Sequence, residues 1–138
     1  AQYLDYSDLA LTRKKKNLKT FIKGLADEDP VKRYWSVIGL LLLEKQAKPA
    51  IPELKKVLGD RDEIPAFAAW AIYKAGEKKF AEKWMLEAIT QNPGNKTLAN
   101  IFDWMGTASH SLLAKIPSDK LPQKGLLKDV IKRSGVQN

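Results

Sequence analysis

The 138-residue chain has no cysteine. Disulfides, thiolate nucleophiles and thiolate metal sites are therefore excluded, while either redox compartment stays open. There is a single histidine, His110, so an imidazole-based metal centre has no second ring to draw on. No run reaches the roughly 18 apolar residues needed to cross a bilayer, so no membrane span is expected. No stretch alternates β-branched and polar residues over a useful length, which removes the strand signal. A secretory leader pattern is lacking, and the sequence starts at Ala1 instead of Met. The expectation is a processed product or an excised domain of a larger protein, and the compartment is left open.

What is present is the composition of a folded chain. Apolar residues make up 44% and charged residues 29%, a balance too apolar for a disordered segment. The length favours one domain, taken as residues 1–138, with 1–16 as lead-in or linker and 17–138 as helical repeats. Lys and Arg number 24 against 16 Asp and Glu, a net charge of +8. That balance permits acidic partners such as nucleic acid or sulfated polymers without demanding them.

Helical periodicity runs through the chain. Leu4 to Leu11 predicts a lead-in helix, whose Tyr3, Leu4, Tyr6, Leu9 and Leu11 could pack in a seam with a neighbouring domain. Leu18, Phe21, Ile22 and Leu25 recur at i, i+3, i+4 and i+7, one helical stripe. Asp29 then stands at an N-cap position with Pro30 at the first helical turn. From Pro30 to about Glu44, apolar residues go nearly all the way round the later turns, which predicts burial on several sides. Ala47 to Pro52 reads as a Pro-rich connection. Ile51, Leu54, Val57 and Leu58 form the next stripe, and Asp60 to Glu63 a second acidic turn. Pro65 to Lys74 is again almost wholly apolar and Gly76 ends it. Further helices are predicted for Lys78 to Ile89, Lys96 to Met105 and the Leu126 to Ile131 stripe.

Gly39-Leu40 aligns with Ala71-Ile72, and a fainter third copy has Ala99 and Gly106. The period is about 30–33 residues, the mark of stacked helix pairs. The small residue lets two helices approach, and the residue after it is a core knob.

An acidic turn, an early basic residue and a small-then-Leu centre, here Asp27, Arg33, Gly39 and Leu40, resemble HEAT repeats. In the second copy Ala66 stands where the pattern has Arg, so an Asp–Arg ladder between repeats would be incomplete. The longer string, with Asp29-Pro30, Arg33-Tyr34-Trp35 and Lys48-Pro49-Ala50-Ile51-Pro52, resembles the HEAT-like tail that follows the catalytic domain of bacterial sulfatases. The resemblance covers Leu18 to Gly76. It implies an all-α, short right-handed solenoid of about three to four HEAT-like helix pairs. It also implies a parent that hydrolyses sulfate esters with a calcium ion and a formylglycine nucleophile, in the periplasm or outside the cell.

The sulfatase nucleophile motif is absent, so no catalytic residue, metal ligand or cofactor is carried over. Asp27 and Asp29 suit capping better than paired-carboxylate chemistry. Ser109-His110-Ser111 lacks the strand–turn–helix elbow of a nucleophile motif. Trp35 and Trp84 fall on apolar stripes and are expected in the core, while Trp70, on the second, inner helix of its pair, is the best candidate for an exposed aromatic. The expected interaction surface is Arg33, Trp70 and Lys74 with Leu9 and Leu11. The expected polyanion contacts are Arg13, Lys14, Lys15 and Lys16. The reading is a non-catalytic accessory domain whose partner is the parent's catalytic domain, with other protein partners open. The alternative is a free-standing basic HEAT-like module for nucleic acid or another polyanion, bound weakly and non-specifically.

Overall fold

The computed structural model describes residues 2–136, with side chains from Tyr6 onward. Tyr3 and Leu4, assigned to a seam on sequence grounds, lie outside the described side chains. Among the described residues every regular element is helical. The helices are α1 (Gln2–Leu11), α2 (Leu18–Gly24), α3 (Pro30–Leu43), α4 (Ile51–Lys56), α5 (Ile64–Ala75), α6 (Lys78–Gln91), α7 (Lys96–Met105), α8 (His110–Leu113) and α9 (Leu126–Ser134). The segment read as a Pro-rich connection is itself 3₁₀-helical over Glu44–Ala50. Pro49 is compatible with that tighter winding, because a short turn needs few amide donors. By internal contacts the chain divides into two compact units, Ala1–Ala81 and Glu82–Asn138.

In the first unit α3 is the central element, packing on α1, α2 and α5. Its start is fixed locally. The Asp29 side chain accepts from the Val31 amide at 2.9 Å and Pro30 occupies the first turn. Such a cap contributes about 1 kcal/mol. One side of α3 is buried through Ser36, Val37, Gly39, Leu40, Leu41 and Leu43. Full burial of each large side chain there contributes about 1.5–3 kcal/mol.

The approach of α2 to α3 depends on two glycines. A Cβ at Gly39 would stand 2.6 Å from Cζ of Phe21, so the Phe21 ring lies flat against bare backbone. Gly24 repeats the arrangement from the other side, against the Ser36 side chain and the Tyr6 ring. Ser36 is fully buried, and its hydroxyl donates to the Lys32 carbonyl at 2.8 Å. The aligned pairs Gly39-Leu40 and Ala71-Ile72 are both completely buried, as their small-then-large pattern requires.

The ends of α3 and α7 share a backbone conformation. Glu44 has φ 55°, ψ −123°, and Gly106 has φ 62°, ψ −133°. Each then opens a 3₁₀ turn leading into the next short helix. Gly106 suits this positive-φ corner, whereas Glu44 adopts it against side-chain sterics.

The second unit buries Met85, Ile89, Leu98, Ile101, Phe102, Leu112, Leu113, Ile116, Leu127 and Val130. Here α7 packs on α9. Asn95 caps α7 by accepting from the Leu98 amide at 3.0 Å. An ion pair of 3.3 Å joins Arg133 on α9 to Asp103 on α7.

Gly39→Ala tests the close approach. Alanine favours a helix by roughly 1 kcal/mol over glycine, yet its methyl would displace the Phe21 ring. Net destabilisation of about 1–3 kcal/mol in urea unfolding is expected, with partial recovery when Phe21→Leu is added. A stabilised Gly39→Ala protein would contradict the geometry.

Candidate interaction surface

The Asp27–Pro30 turn sets the start of the candidate surface. Oδ1 of Asp27 accepts from the Asp29 amide at 2.9 Å, and its other oxygen lies 3.8 Å from Lys32 Nζ. Both carboxylates of the apparent pair thus shape the turn.

Arg33, one turn into α3, holds four acceptors. Its Nε donates to Oδ2 of Asp60 at 2.7 Å and its Nη2 to Oδ1 at 3.1 Å. Its Nη1 donates to the carbonyls of Asp27 at 2.9 Å and Glu28 at 3.0 Å. The fork binds its own turn and the turn preceding α5. Both side chains are mostly covered, at 17% and 13% exposure. The hydrogen bond with Asp60 raises the Arg33 pKa above its ordinary value, against the opposing effect of burial. The same bond holds the Asp60 carboxyl below the usual carboxylate range, against burial and helped by the Arg61 amide at 2.8 Å. Arg33 was assigned on sequence grounds to a partner-facing surface. In the fold its guanidinium is engaged by these four acceptors. Ala66, which replaces arginine in the second copy, is buried, so the bridge is not continued there by that residue.

With α3 and α5 tied at their starts, a second stripe on each faces outward. On α3 it is Val31, Tyr34, Trp35, Ile38 and Leu42, of which Val31 is 40% exposed and the others half-buried. On α5 it is Phe67, Trp70, Tyr73 and Lys74, all half-buried. Tyr34 joins the stripes, edge-to-face with Trp35 at 5.2 Å and with Phe67 at 5.9 Å between ring centres. Lys78 Nζ sits 5.5 Å from the Tyr73 ring centre. The expectation that α3 is buried on several sides holds where it packs on α1, α2 and α5, while this stripe stays half-covered.

The tryptophans differ from their sequence assignments. Trp35, Trp70 and Trp84 are all half-buried, and Trp35 and Trp70 both pack against the core of the first unit. The tryptophan with most exposure is Trp104 on α7, at 58%. Its register could have revealed it. Leu98, Ile101, Phe102 and Met105 form the i, i+3, i+4, i+7 stripe, and Trp104 falls beside it.

In the lead-in, Leu9 packs on the core of the first unit while Leu11 is 62% exposed. The pair is therefore split, with Leu9 half-buried, as Trp70 is, and Leu11 open to solvent. Arg13, Lys14, Lys15 and Lys16 are all exposed, with Arg13 at φ 57°. In the second unit the Ser109 hydroxyl donates to the Gly106 carbonyl at 2.8 Å, and Ser111 donates to Glu82 at 3.4 Å. His110 lines a cleft of about 260 Å³ with Asp103, Thr107 and Arg133. Among the described residues no group of three or more His, Asp or Glu side chains is placed to hold a metal ion.

No family model matches the chain, and neither does any curated protein or solved structure.

The acid limb of stability tests the bridge. Asp60 titrates lower when folded than its ordinary 3.8. Its contribution is therefore complete above that value and is lost as pH falls through the lower folded pKa. Asp60→Asn should cost about 1–2 kcal/mol at neutral pH. It should also make unfolding free energy less steep in acid. Identical acid limbs for the two proteins would show that the bridge contributes nothing.

Proposed function

We propose that the chain is a non-catalytic accessory domain of HEAT type, a short right-handed stack of helix pairs, attached to a sulfatase-like hydrolase. The parent would supply the sulfate-ester chemistry together with its calcium ion. This chain would pack on the catalytic domain and shape access to it.

The observation that carries the interaction reading is the pair of outward stripes on α3 and α5. Large apolar and aromatic side chains lie together in one unit, half-covered. Rings in that condition gain most from a protein surface that completes their burial. Support for the repeat reading comes from Arg33, which joins one acidic turn to the next across 27 residues, and from the shared backbone corner at Glu44 and Gly106. The sulfatase part of the proposal is supported by the string from Asp29 to Pro52 alone.

Val31 is the most exposed apolar residue of the α3 stripe, so its replacement should spare the fold. In the intact parent protein, Val31→Glu should loosen the contact between this chain and the catalytic domain. With the two parts expressed separately, association should weaken by at least about 30-fold, the equivalent of roughly 2 kcal/mol for burying an unpaired charge. Turnover of a small soluble sulfate ester should persist. A coding sequence with no hydrolase domain beside this chain would overturn the sulfatase assignment. Unchanged association would overturn the choice of face.

A further inference from the structure

Charge is distributed unevenly along the chain. Between Leu9 and Ala26 there are six basic residues, Arg13, Lys14, Lys15, Lys16, Lys19 and Lys23, and no acidic one. They account for six of the eight net positive charges, leaving the rest of the chain close to balance. All six side chains are exposed. None forms an ion pair among the described residues, although five such pairs form elsewhere.

The fold arranges half of them in a row. The 3₁₀ turn Lys15–Asn17 runs directly into α2. Phe21, Gly24 and Leu25 face inward, with Phe21 against Gly39. Lys16, Lys19 and Lys23, at i, i+3 and i+7, are left on the outer side. Neighbours at this spacing stand about 5–6 Å apart, so the row is roughly 10 Å long on a helix rise of about 1.5 Å per residue.

We infer that this row is a docking edge for the phosphate backbone of a nucleic acid duplex, bound without sequence preference. Each B-form strand presents a phosphate about every 3.4 Å of helix axis while winding round it, so lysines about 5–6 Å apart can each meet a phosphate. Five of the six cations are lysines, point charges that contact phosphate without the planar fork that reads guanine. From Arg13 to Lys23 the exposed side chains are Arg, Lys and Thr only. A bilayer surface would call for apolar residues to insert, and Leu11 at the margin is the one large apolar side chain exposed there. Among linear polyanions the duplex has the dense charge that rewards a row of point charges, through release of condensed counterions. The inference is independent of the accessory-domain reading, and Val31→Glu should leave it unaffected.

The test is binding of a fluorescent 20-base-pair duplex of mixed sequence between 50 and 200 mM salt. Four to six phosphate contacts predict a log–log salt slope of about −4 to −5, a loss of roughly 10²–10³-fold over that range. Lys16→Glu, Lys19→Glu and Lys23→Glu together should reduce the slope by about three units. The matched charge reversal at Lys115, Lys120 and Lys124, also exposed, should leave it in place. Circular dichroism on both variants confirms the helices are intact. The inference is overturned if the two reversals act equally, which would make the effect one of net charge. It is also overturned if duplex binding is absent at 50 mM salt, whether or not heparin or anionic vesicles bind in its place.

Discussion

The arrangement of the first unit depends on one guanidinium. Two turns rich in carboxylates and backbone carbonyls must sit side by side for α3 and α5 to pack. Without a cation between them, the Asp27 and Glu28 carbonyls and the Asp60 carboxylate would present like-signed charge to one another. Arg33 donates to all three groups at 2.7–3.1 Å. A planar fork can do this because its donors diverge at fixed angles, whereas a lysine would satisfy one acceptor at a time. The bridge is largely covered, so salt screens it less than a surface pair.

The outward stripes follow from that join. The inner sides of α3 and α5 bury small residues and Leu40, Ile72 and Ala71 completely. Small inner residues bring the helices close, and closeness sets the larger rings of Tyr34 and Phe67 in contact along the outer edge. The same use of small side chains, Gly39 against Phe21, fixes α2 on the opposite flank. That leaves the lysines of α2 facing solvent. The aromatic stripes and the basic row are thus two products of one packing scheme. They differ in chemistry and call for different partners.

Local signals in the sequence were sufficient wherever the physics is local. Asp29 and Pro30 announce the start of α3 because capping involves residues two apart. Gly39-Leu40 and Ala71-Ile72 announce helix contacts because only small residues permit them. The sequence was less informative where partners are distant. Arg33 was read both as the basic position of an Asp–Arg ladder and as part of an interaction surface, because Asp60, 27 residues on, meets it only in the folded chain. Apolar residues all round α3 could not say which side remains half-open, so Trp35 was assigned to the core. Trp70 was preferred to Trp104 by analogy with position in a repeat, where helical register alone pointed to Trp104. The Glu44–Ala50 turn escaped notice because its one proline and two lysines carry no 3.6-residue period.

The account rests on Arg33 and Asp60 acting together, which a double-mutant cycle measures directly. Unfolding free energies of Arg33→Ala, Asp60→Ala and the double variant give their coupling. A partly buried, bidentate pair predicts a favourable coupling of about 1–3 kcal/mol, with the double variant scarcely less stable than the worse single one. Strict additivity would mean that the two turns are held together by apolar packing alone, and that the bridge is not the constraint on which the first unit depends.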